Sequence, residues 1–148
     1  MSTVPPDGFE DLMSAYAAAV NRDYAQAVRA VASEWFSGVI RRTPVAEKNG
    51  GRMRGNWLTS AGAPNFSVTD RTDESGALAD AHNNIDPFGV TYLTNNLPYA
   101  ERREHEGGRP VVGSKRNPFQ YGKGVGGGFV EEELKRVMSN VERIVKGA

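Results

Sequence analysis

Cysteine is absent from the 148 residues, which removes both a disulfide framework and any thiolate metal site. Net charge is absent as well. Lys plus Arg and Asp plus Glu number 18 each, so bulk charge gives the chain no hold on nucleic acid. Histidine is scarce, and His82 with His105 cannot build a histidine-rich metal site. No apolar run approaches the roughly 20 residues that a membrane helix needs. The opening Met1-Ser2-Thr3-Val4-Pro5-Pro6-Asp7-Gly8 lacks the basic and apolar regions of a signal peptide. The expectation is a soluble intracellular product with no membrane contact, folded as a single domain over 1–148.

What is present begins with an extended arm at 1–7, where Pro5-Pro6 favours polyproline geometry. A helix is then expected over 8–41. Phe9, Leu12, Met13, Tyr16, Val20, Tyr24, Ala27, Val28, Val31, Trp35 and Val39 recur at spacings of three and four, which lays one apolar stripe along it. Asp7 has the place of an N-cap, with Glu10 at capping-box spacing. Such a helix would run about 50 Å, longer than the roughly 30–40 Å across a domain of this size. Either it kinks, at Asn21-Arg22-Asp23 or Ser37-Gly38, or part of it packs on a neighbouring subunit.

Arg42-Thr43-Pro44-Val45 ends the helix, because proline cannot continue it and pushes Thr43 out of helical geometry. Gly50-Gly51 permits a tight, left-handed bend before Arg52-Met53-Arg54-Gly55-Asn56-Trp57. The region 42–106 reads as a sheet region. Strands are expected at 56–60 and 88–95, with 65–70 a further strand or an extended loop. A short helix is expected at about 74–84, opened by Thr72-Asp73-Glu74-Ser75. The charged run Glu101 to Glu106 follows. The segment 107–128 holds eight glycines and two prolines, a composition that cannot order itself alone. A C-terminal helix is expected over 129–146, with Phe129, Val130, Leu134, Val137, Met138, Val141 and Ile144 on its apolar face. The fold class is α+β: long N-terminal and C-terminal helices on a small, mainly antiparallel sheet, with a short helix between strands and a long glycine-rich loop. Trp35, Trp57, Tyr92 and Leu134 are the expected core residues.

Catalytic and cofactor chemistry is weakly represented. Gly122-Lys123-Gly124-Val125-Gly126-Gly127 matches G-x-G-x-x-G, but no apolar strand precedes it and too few residues follow for a βαβ unit. Gly108 to Lys115 ends Gly-Ser-Lys where a phosphate loop needs Gly-Lys-Ser/Thr. Glu104-His105-Glu106 offers metal-ligand types, yet neighbouring side chains diverge on a helix or strand, so a solvated charge run fits better. No nucleophile elbow is present. The sequence therefore predicts no enzyme, no catalytic residue, no metal and no cofactor. Arg41, Arg42, Lys48, Arg52 and Arg54 cluster at the corner. They suit either a DNA or acidic-partner contact, or a solvated corner whose arginine stems cover Trp57.

Two motifs carry a family resemblance. Arg42-Thr43-Pro44-Val45, a spacer with glycine, then Arg52-Met53-Arg54-Gly55-Asn56-Trp57 resembles the R-T-P-V-D-T-G-x-L-R-x-S-W signature of tailed-bacteriophage neck and tail-completion proteins, the head–tail joining or minor tail components. Val90 to Ala100, ending Asn95-Asn96-Leu97-Pro98-Tyr99-Ala100, is similar to the strand that follows in that family. Glu106-Gly107 and Gly128-Phe129-Val130 also fall near expected places. The chain departs where Glu47-Lys48-Asn49-Gly50-Gly51 replaces Asp-Thr-Gly. The resemblance implies a structural virion protein, assembled in the bacterial host cytoplasm. It would form a ring, typically hexameric, that completes the tail and joins it to the head connector around a lumen for DNA. The implied partners are further copies of the chain, head-completion or connector proteins, and tail-tube or tail-terminator proteins, with genomic DNA passing nearby. Candidate interface residues are Arg42, Arg52, Arg54, Tyr99, Glu101, Arg102, Arg103, Glu106, Lys115, Arg116, Phe119, Tyr121 and Lys123. The alternative is a small nucleic-acid-binding or assembly-chaperone module that uses the Arg42–Arg54 basic cluster.

Overall fold

A single unbroken helix, α1 (Phe9–Arg42), spans 34 residues. The computed structural model describes residues 8–45, 50–100, 104 and 128–148. The arm at 1–7, the proposed Asp7 cap and the loop at 107–127 lie outside them. Gly8 occupies the N-cap position and makes no side-chain cap. Neither Asn21-Arg22-Asp23 nor Ser37-Gly38 interrupts the helical assignment of α1. Glu10 and Asp11 in the first turn and Arg41 and Arg42 in the last complement the helix dipole. The end comes at Thr43, which takes φ −59° and ψ 126° ahead of Pro44.

After the corner, Gly51 turns the chain at φ 94° and a one-turn helix, α2 (Arg52–Gly55), follows. The sequence showed no helical period there, because four residues are too few to display one. β1 (Leu58–Ala61) pairs antiparallel with β2 (Thr91–Thr94), in a register that sets Leu58 opposite Thr94 and Ala61 opposite Thr91. These two strands form the sheet among the described residues. The stretch 65–70 forms no regular element and joins no ladder. Between the strands, α3 (Glu74–Asn83) is capped by Asp73, whose carboxylate accepts the Gly76 amide at 2.7 Å. The Thr59 amide donates to the Asp80 carboxylate at 3.0 Å and ties the sheet to α3.

The C-terminal helix is two helices, α4 (Phe129–Ser139) and α5 (Val141–Lys146), where one was expected. Asn140 separates them. Its side-chain amide donates to the Arg136 carbonyl at 2.7 Å, competing with the helix backbone. The core joins the C-terminal half of α1, through Phe36, Val39 and Ile40, to Met53, Trp57, Ala77, Ala81, Leu97, Ala100 and Phe129. The fold is thus α+β: helices packed on a small antiparallel sheet.

One core expectation, Leu134, needs correction, and with it the place of Met138 on the apolar face of the C-terminal helix. Leu134 is 37% exposed and Met138 is 65% exposed. The buried face of α4 runs through Phe129, Glu133 and Val137, so the charged Glu133 takes the inward position that hydrophobicity assigned to Leu134. Trp57 is buried as expected. Trp35 packs half-buried against the core, and Tyr92 is half-buried on β2.

Candidate functional site

The corner is a latch made of the same residues that carry the resemblance. Thr43 is fully buried, donates through Oγ1 to the Val39 carbonyl at 2.7 Å and accepts the Trp57 indole N–H at 2.7 Å. Arg54 reaches back to the open end of α1. Its guanidinium donates to the Thr43 carbonyl at 3.1 and 2.7 Å and to the Arg41 carbonyl at 2.8 Å, carbonyls the helix itself leaves unpaired. The same group pairs with Glu74 at 2.9 Å and so fixes α3 to the corner. Asn56, nearly fully buried, accepts the Thr69 amide and donates to the Arg52 carbonyl. Asn95 donates to the Met53 carbonyl at 2.7 Å, and Asn96 to the Asn65 and Ser67 carbonyls. The 65–70 stretch is therefore held by the side chains of Asn56, Thr94 and Asn96 in place of a strand ladder.

A second polar knot locks α4 to α1. The Glu133 carboxylate is buried, and it accepts from Arg42 at 3.3 Å and from Arg136 at 2.9 Å. Arg136 also pairs with Glu34 at 3.2 Å. The hydrogen bond that it donates to the Glu133 carboxylate is the main reason the Arg136 guanidinium is held above its usual range. Glu104 caps α4 from outside, its carboxylate accepting the Val130 and Glu131 amides. One member of the Glu104-His105-Glu106 run thus serves a helix N-terminus.

Of the candidate interface residues, Arg42 and Arg54 have intrachain carboxylate partners, and Arg41 lies 3.9 Å from Glu74. Their ionic contacts hold the chain together. Arg52 is exposed and has no carboxylate partner among the described residues. Tyr99 packs half-buried against the core. Glu101, Arg102, Arg103, Glu106, Lys115, Arg116, Phe119, Tyr121, Lys123 and the corner residue Lys48 lie outside the described residues, as do both glycine-rich motifs. Among the described residues, no three of His, Asp and Glu come together as a metal site would require, and no helix is long and apolar enough to cross a membrane.

The most conspicuous surface is one whose exposure the sequence did not specify. The N-terminal half of α1 leaves the body, and its apolar stripe lies in the open. Phe9 is 42% exposed, Leu12 66%, Met13 46%, Tyr16 65%, Val20 47% and Tyr24 54%. At the base of the stripe, Tyr24 meets the exposed Phe88 with ring centroids 5.8 Å apart, which extends the patch onto the α3–β2 connection. An exposed cluster of large apolar side chains of this kind is the usual mark of an interaction site. The sequence signal for it was the stripe itself, together with a helix longer than its domain.

Comparison with known families, with curated proteins and with solved structures finds no match to this chain.

Proposed function

We propose that the chain is a structural subunit of the tailed-bacteriophage neck. In this reading it assembles with copies of itself into a ring that completes the tail, joins it to the head connector and surrounds the path of the DNA. The observation that carries this reading is the uncovered apolar stripe from Phe9 to Tyr24, on a helix that outruns its own domain. A free helix half with this surface is stable in water only when something covers it, and a repeated subunit is the simplest cover. The latch around Thr43, Arg54 and Trp57 supports the reading differently. The motif residues that resemble the neck family are tied to one another at a single corner, so they share one architectural role.

The nucleic-acid alternative needs a free Arg42–Arg54 cluster, and ion pairs to Glu74, Glu132 and Glu133 engage Arg42 and Arg54, leaving Arg52 as the described residue of the Arg42–Arg54 run without a carboxylate partner. The test is reconstitution. Purified protein added to an extract of phage heads and tails that lacks it should produce joined particles, and it should appear as rings by negative-stain microscopy. A protein that binds duplex DNA with a steep salt dependence, and that neither forms rings nor joins particles, would favour the alternative.

A further inference from the structure

A cleft of about 440 Å³ opens where α1, α3 and α5 meet. Arg29, His82 and Arg143 line it above an apolar floor of Ala30, Ile85 and Ile144. Among the described residues, Arg22, Arg41, Arg42, Arg54, Arg71 and Arg136 each lie within 4.0 Å of a carboxylate. Arg29, Arg52 and Arg143 do not, and two of these three share this cleft. Glu34 also reaches it, but Arg136 already holds that carboxylate at 3.2 Å. The cleft therefore offers two unspent guanidinium groups and an imidazole over an apolar floor. Its natural occupant carries carboxylates beside apolar side chains, since guanidinium pairs with carboxylate best where water is partly excluded.

The first turn of α1 is an exposed segment of that chemistry. Phe9 and Leu12 are 42% and 66% exposed, and Glu10 and Asp11 between them form no ion pair among the described residues. This turn cannot reach its own cleft, because Arg29 stands on the same unbroken helix about 27 Å from Asp11. We infer that the first turn of α1, Phe9 to Leu12, inserts into the Arg29–His82–Arg143 cleft of a second copy. Glu10 and Asp11 meet the two arginines, and Phe9 or Leu12 lies on Ile85 and Ile144. The contact joins two different surfaces, so it is heterologous and propagates from copy to copy until it closes a ring. It rests on the self-assembly reading above and names the surface that receives the helix.

The test is charge reversal in the full chain, read by light scattering over a concentration series, with circular dichroism to verify the fold. Glu10→Lys with Asp11→Lys should weaken assembly roughly tenfold or more, and Arg29→Glu with Arg143→Glu should do the same. All four changes in one chain should restore most of the loss. As a second measurement, Glu10→Cys with Arg143→Cys in this cysteine-free chain should give intermolecular ladders with a short bismaleimide. Wild-type assembly that ignores both reversals, with no ladder, would overturn this contact and leave self-assembly standing. A wild-type chain that stays monomeric would overturn self-assembly and this contact with it.

Discussion

The Glu133 carboxylate occupies the space that a β-carbon on Gly38 would need: a Cβ built there would lie 2.0 Å from Oε2. The pair explains why a glycine stands mid-helix in α1 and how a buried acid can be tolerated on α4. Without a side chain at 38, α4 comes close enough for Glu133 to receive Arg42 and Arg136 together. Gly38→Ala should therefore destabilise the subunit by about 2–4 kcal/mol. That is an upper range, the loss if the added methyl displaces the buried Glu133 carboxylate from its half-exposed arginine partners, less the ~1 kcal/mol that alanine normally gains in a helix. Urea unfolding checks this, and a stabilised variant would contradict it.

The Trp57–Thr43 hydrogen bond gives a second prediction. Thr43→Val should cost about 1–3 kcal/mol, because it strands a buried indole N–H. Trp57→Phe should also destabilise. The double variant should cost about 1 kcal/mol less than the two single losses together, the coupling expected of one shared hydrogen bond. Strict additivity would mean that the bond contributes nothing.

The asparagines make a third. Asn96→Ala removes the donor to the Ser67 carbonyl and one of two donors to the Asn65 carbonyl, the other being the Thr94 hydroxyl, in a stretch that has no ladder to fall back on. Limited proteolysis should then cut near Phe66, which is 79% exposed, well before the wild type is cut. Unchanged cleavage kinetics would show that Asn56 and Thr94 suffice to keep the stretch in place.

The fourth concerns pH. The Gly76 amide is the main cause that holds the Asp73 carboxyl below its ordinary value of 3.8. A depressed carboxyl stabilises the fold while it is ionised. That contribution is present above the unfolded value and is lost as pH falls through the lower folded one. Wild type and Asp73→Ala should thus differ in Tm at neutral pH, and the gap should narrow as pH falls below 3.8. A gap that stays constant down to pH ~2 would show that the cap does not depend on charge.

Local chemistry made much of the fold legible. Pro44 after Thr43 ended α1, Asp73 opened α3, and β-formers bounded by glycine and asparagine marked β2. Long-range pairing hid the rest. Nothing near Glu133 in sequence announces Arg42, and without that partner a charged residue looks like surface, so the apolar face of α4 was set on Leu134. The break at Asn140 depends on a side chain that turns back to the Arg136 carbonyl, where helical spacing alone ran straight through. The corner arginines read as offered outward because their carboxylates lie on α3 and α4. The apolar stripe of α1 was plain in sequence. Its division into a covered half and an open half depends on where α3 and α5 end in space, and no local pattern encodes that.

The central claim is that the open half of α1 is an assembly surface. Native mass spectrometry of the full chain, beside Leu12→Lys with Tyr16→Lys, tests it most directly, since both positions are exposed and the fold should survive the change. The account predicts a wild-type species at a fixed multiple of the 16.1 kDa subunit and a variant that is monomeric at the same concentration. A wild type that is monomeric throughout, or a variant that assembles as well as the wild type, would contradict it.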